Sequence, residues 1–115
     1  MDRKSIDLQP LRITGGWDII QNKFLNLEPS EIVDEDDRLW FHFTEDILQL
    51  RHKSRNIVID MGWYPDIEPT GNYRIVAIKD EDWETPLDRF ESRSKEEITA
   101  KIEQLIKQYS QNLKL

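Results

Sequence analysis

The sequence predicts an α+β domain: a mostly antiparallel sheet of about four to six strands, with an amphipathic C-terminal helix packed on one face. Three observations carry this reading. Residues 55–65 read Arg-Asn-Ile-Val-Ile-Asp-Met-Gly-Trp-Tyr-Pro. At period two, Ile57, Ile59, Met61 and Trp63 share one wholly apolar face, which suits a central strand pressed against a helix. The other face holds Val58, Asp60, Gly62 and Tyr64 and is expected to be only partly covered, and Pro65 closes the strand. Second, Ser94-Lys-Glu-Glu97 reads as a capping box. Ile98, Ile102, Leu105, Ile106, Tyr109 and Leu113 follow at helical spacing, and Glu97 with Lys101 and Glu103 with Lys107 are oriented to pair on the wet side. Third, the strand-like stretches precede the helix, with no repeat or linker between them. At 115 residues the chain is one domain, 1–115, with one modest core.

The elements follow in order. Residues 1–10 are polar and end at Pro10, as a loose lead-in or a short edge strand. Residues 11–14 read as a brief strand broken by Gly15-Gly16. Over 17–27, Ile20, Phe24 and Leu27 make a helical stripe, while Ile20, Asn22, Phe24 and Asn26 would share a strand face. The missing N-cap and the preceding Gly-Gly tilt this segment toward strand. Pro29 opens a loop through the acidic run to Asp37. Residues 38–43 alternate, with Leu39, Phe41 and Phe43 opposed to Arg38, Trp40 and His42, and predict a strand. Thr44-Glu45-Asp46 is a turn or a helix cap, 47–52 a further strand, and 53–56 a hairpin turn into the central strand. Residues 65–72 are rich in turn formers, 73–78 predict another strand, and 80–86 form a second acidic loop carrying Trp83.

Charge excludes some functions. The net charge of −7 is concentrated in two segments. Residues 28–37 hold six acids and no base, and residues 60–84 hold seven acids against Arg74 and Lys79. A nucleic-acid binder needs the opposite sign, so direct binding to DNA or RNA is not expected. Eleven aromatic residues argue for a folded chain. With no cysteine, disulfides and thiolate metal sites are excluded. No signal-like or membrane-length apolar run occurs, so a cytoplasmic protein without membrane contact or cofactor is expected, as a monomer or weak homodimer.

No catalytic motif is present. His42 and His52 would approach each other if their strands were joined by a tight turn at 44–46, with Glu45 or Asp46 nearby, as an acid–base pair or half a metal site. The plainer reading is a strand-face histidine and a basic hairpin tip. Asp34-Glu-Asp-Asp37 resembles a calcium loop only in charge, lacking the turn glycine and the distal glutamate. Trp63 reads as core. Trp40, Tyr64 and Trp83 lie beside acids, either as anchors inside a charged rim or as a half-buried roof over a small core. The predicted partner-binding residues are Glu35, Asp36, Asp37, Trp40, Tyr64, Asp66, Asp80, Glu81, Asp82, Trp83 and Glu84. If the loop after Leu27 and the loop after Ile78 fall at the same end of the sheet, their charges merge into one patch.

The Gly-Gly-Trp opening, Leu-Trp-Phe-His-Phe-Thr-Glu-Asp (39–46), Ile-Asp-Met-Gly-Trp-Tyr-Pro (59–65), Trp-Glu-Thr-Pro-Leu (83–87) and the capped last helix together resemble small acidic immunity proteins of bacterial polymorphic toxin systems. These include the partners of contact-dependent inhibition and of Rhs or WXG-type toxins. The resemblance covers most of the chain, in style and motif order. It implies a non-catalytic inhibitor that binds one cognate toxin domain with a basic surface, often a nuclease, and occludes its active site. The rivals are an α+β adaptor for another basic protein, and a small hydrolase or metal enzyme using His42 or His52.

Overall fold

The alternation at 57–64 is realised as the middle strand of a five-stranded antiparallel meander. The computed structural model describes residues 6–110. Its strands are β1 (Trp17–Asn22), β2 (Leu48–His52), β3 (Ile57–Tyr64), β4 (Asn72–Lys79) and β5 (Asp88–Ser92), paired in sequence order. Helix α1 (Lys95–Ser110) follows and packs on β3, β4 and β5. No helix among the described residues is long and apolar enough to cross a membrane. The predicted fold class stands.

Register explains which face is buried. Leu48, Met61 and Ile75 lie opposite one another across β2, β3 and β4, as do Leu50, Ile59 and Ala77. These rows form the face that meets Ile98, Ile102, Leu105 and Ile106 of α1, and all are buried. Fully burying one such side chain is worth about 1.5–3 kcal/mol, so the two facing layers supply most of the cohesion. On the other face, Val58, Asp60 and Tyr64 are half-buried, as the mixed composition of that face predicts.

Several local expectations are corrected. Residues 38–43 do not form a strand: Arg38–His42 is a 3-10 helix, with Asp37 as its N-cap accepting from the Leu39 N–H at 2.9 Å. A period of three turns Trp40 and Phe43 inward and leaves Phe41 outside, so the face predicted by alternation is wrong. Residues 11–14 are not a strand either. Their polar groups reach α1 instead, through Arg12 N–H to Glu103 and Thr14 to Ser110. β5 was not foreseen, because Asp88-Arg-Phe-Glu-Ser92 offers one apolar residue and pairs by backbone register with β4. The last correction concerns the capping box. Ser94 Oγ does accept from the Glu97 N–H at 3.1 Å, but Glu97 accepts from the Ser92 hydroxyl, which itself accepts from the Ser94 N–H. Lys101 reaches Asp88 at 3.3 Å rather than pairing along the helix. Leu113 lies outside the described residues.

The remaining expectations fare better. Residues 17–22 and 48–52 are strands, the former ending where the Asn22 side chain accepts from the Phe24 N–H. The hairpin into β3 turns through Lys53–Arg55 and a left-handed Asn56. Residues 6–10 contribute a single bridge, Leu8 to Leu25.

Candidate functional site

The meander has two poles, and the connections divide between them. β1, β3 and β5 end at one pole, here the exit pole of β3, where α1 begins. The 53–56 and 80–87 connections lie at the opposite, entry pole. The loop after Leu27 belongs to the exit pole and the loop after Ile78 to the entry pole. The eight residues of β3 separate them by about 23 Å, well beyond a Debye length of about 8 Å at physiological salt. The two acidic loops therefore do not merge into one patch.

Their charges are unequal. Residues 23–47 carry eight acids against Lys23 and Arg38, and the 65–71 loop adds Asp66 and Glu68. The entry-pole connections carry four acids against Lys53 and Arg55. The exit pole thus accounts for the acidity of the chain.

The exit pole is built on an aromatic floor. Trp63 is fully buried and contacts Phe43 and Tyr73 edge-on, with centroids 4.9 and 5.1 Å away. Trp40 packs on both Phe43 and Trp63. Each indole N–H finds a carbonyl: Trp63 donates to Glu68 O at 2.7 Å and Trp40 to Asp34 O at 3.1 Å. These bonds tie the 65–68 loop and the acidic run to the core. Trp40 is only 5% exposed, so its assignment to the partner surface is corrected: it supports that surface from beneath.

At this pole residues 44–47 run alongside β3 ahead of β2. The Trp63 N–H donates to Thr44 O at 2.8 Å and the Ile47 N–H to Met61 O at 3.1 Å. Glu45, between them, leans over Gly62 and donates its N–H to Asp66 at 2.9 Å. Glu45 and Asp46 thereby join Asp60 and Tyr64 on the open face of the sheet. Burial raises the Asp60 carboxyl above its usual range; the Gln49 amide bonded to it at 2.8 Å opposes this, and the Asp46 charge adds to it. The Tyr64 phenol is raised too, by burial and then by Asp60 and Glu45, while the Arg74 guanidinium lies 4.2 Å over its ring. Among the predicted site residues, Glu35 and Asp36 are exposed, Asp37 caps the 3-10 helix and Asp66 holds Glu45.

At the entry pole, Asp80 and Glu81 both take left-handed backbone, and Asp82 ties the loop by accepting from Thr85 and Glu84, bonds that lower its pKa. Trp83 stands 51% exposed, which favours the first of the two alternatives the sequence leaves open for it. Sequence reasoning missed Phe41 (64% exposed), Val33 (91%), Glu45, Asp46 and Glu68 at the other pole. Asp37 as an N-cap, with Trp40 and Phe43 three apart, was the signal that would have found Phe41.

The histidines do not meet. His42 lies on the 3-10 turn at the exit pole, and His52 ends β2 about 13 Å further along the sheet. His52 is buried against the edge of Trp17, with Ser54 Oγ 3.2 Å from its Nδ1. Among the described residues, no group of three or more acids or histidines could hold a metal ion. A groove of about 560 Å³ beside α1 is lined by polar side chains, including Glu28, Glu31, Lys95 and Glu103. Glu28 accepts there from the Lys95 N–H at 3.2 Å, at the start of the helix. The chain matches no protein-family model, no curated protein and no solved structure.

Proposed function

We propose that this chain is an immunity protein that binds a toxin domain with a basic surface and blocks access to its active site. The observation that carries the reading is the polarised charge: ten acids against two bases on the 23–47 and 65–71 connections. A nuclease must hold an anionic backbone, so it presents the cationic surface that such a pole attracts. Long-range attraction would speed encounter, and the rigid aromatic floor would keep the acidic loops in place for docking. The carboxylates would stand where phosphates otherwise bind. The chain itself performs no chemistry in this account.

The test is co-expression with any candidate toxin domain whose gene adjoins this one. Protection of the host, together with a stable complex of the purified proteins, is the result expected. Growth arrest despite folded, abundant protein would overturn the reading and favour an adaptor for another basic protein.

A further inference from the structure

We propose that Phe41 anchors a docking surface at the exit pole that takes a basic protein surface bearing an apolar pocket; this rests on the binding reading above. Three observations converge on it. Phe41 is 64% exposed on a turn that is otherwise clamped. Trp40 and Phe43, on either side of it, are buried in the aromatic floor, Asp37 caps the turn, and the Trp40 indole is bonded to Asp34 O. A large aromatic ring held out by a fixed backbone loses little freedom on binding, which is the property of an interface anchor.

The second observation is Ile67. Its N–H donates to Phe43 O at 2.7 Å, which brings the 65–68 loop beside the Phe41 turn. Ile67 has φ +53°, a left-handed conformation that a β-branched residue adopts only under strain, yet its side chain is 36% exposed. Stability alone would favour asparagine or glycine there. A strained isoleucine at the surface is accounted for by what it contacts in a complex.

Charge names the occupant. Glu35 and Asp36 shortly precede the Phe41 turn and Asp66 adjoins Ile67 in the chain, and the pole as a whole has eight more acids than bases on its 23–47 and 65–71 connections. A lipid surface or nucleic acid would be repelled; a cationic protein surface would be steered in. Trp83 is comparably exposed, but its pole has an excess of only two acids and offers less steering.

The surface can be mapped without the toxin. The ¹⁵N-labelled chain is titrated at low salt with a synthetic cationic amphipathic peptide of leucine and lysine. Amide shifts centred on 38–46 and 65–68 are expected. Phe41→Ser should weaken binding at least tenfold and Trp83→Ser less than twofold. Ile67→Asn should weaken binding about fivefold without lowering the melting midpoint, a combination that a purely structural residue would not give. Shifts centred on 80–87 or spread evenly over all acidic residues would overturn the proposal, as would equal losses for Phe41→Ser and Trp83→Ser. The toxin domain then separates the two readings. Failure of the wild-type chain to bind it defeats the immunity assignment alone, whereas binding unaffected by Phe41→Ser defeats the surface alone.

Discussion

Gly62→Ala probes the close approach of the Glu45 backbone to β3. A Cβ at residue 62 would fall 1.9 Å from the Glu45 carbonyl oxygen and 2.5 Å from its carbon. Ordinary contact needs about 3.4 Å, so Glu45 would have to retreat by about 1.5 Å. It is held on three sides, by Trp63 N–H to Thr44 O at 2.8 Å, Ile47 N–H to Met61 O at 3.1 Å, and its own N–H to Asp66 at 2.9 Å. Losing one of these beside the buried Trp63 leaves an unpaired group, at about 1–3 kcal/mol, and residual overpacking adds about 1 kcal/mol. The stiffer unfolded chain returns about 0.4–1 kcal/mol. A net loss of about 1–3.5 kcal/mol, or roughly 5–15 °C in melting midpoint, is expected. Urea denaturation followed by tryptophan fluorescence measures it, with Gly15→Ala as control, since nothing lies within 4 Å of a Cβ there. If Gly62→Ala and Gly15→Ala both fall within about 0.5 kcal/mol of wild type, Glu45 does not lie over the strand and the reasoning fails.

The remaining predictions concern the core and titration. Trp63→Ala and Ile102→Ala should lower stability by about 3–5 and 2–5 kcal/mol, read from denaturant midpoints, because both side chains are fully buried. His42→Gln should leave stability unchanged, whereas His52→Gln should destabilise by about 1–2 kcal/mol through lost packing on Trp17; loss of host protection by a folded, partner-binding His42→Gln would restore the enzyme reading. Asp60 is raised in the folded state, so its ionisation opposes folding: that penalty is absent well below pH 3.8 and grows as pH rises through the folded value. Asp60→Asn keeps an oxygen for Gln49 and should therefore raise the melting midpoint at pH 7 but not at pH 3; an equal shift at both would contradict the assigned cause.

How much of this was legible beforehand depended on whether periodicity and burial agreed. In β3 they did: alternation from Ile57 to Trp63 coincides with a buried face, so strand, neighbours and covering helix followed from one another. At 38–43 they did not. Leu-Trp-Phe-His-Phe satisfies both a period of two and a period of three, and the aromatic floor beneath Trp40 and Phe43 decided for the latter. β5 was hidden because Arg89 and Glu91 face outward and only Phe90 carries an apolar signal, while its pairing comes from β4. The acidic loops were visible as charge, but their separation was not, since polarity along a sheet depends on how many strands lie between two connections. Exposed Phe41 was lost for the same reason as the strand: the wrong period assigned it inward.

The central claim is that charge at one pole steers a basic partner. Its most direct test is the association rate constant of the chain with the proposed basic partner, measured by stopped flow from about 0.05 to 1 M salt, over which the Debye length falls to about 3 Å. The wild-type rate should drop at least tenfold across that range. Glu35→Gln with Asp36→Asn should flatten the dependence, and Asp80→Asn with Asp82→Asn should leave it nearly unchanged. A rate indifferent to salt, or one flattened by the entry-pole pair instead, would contradict the account.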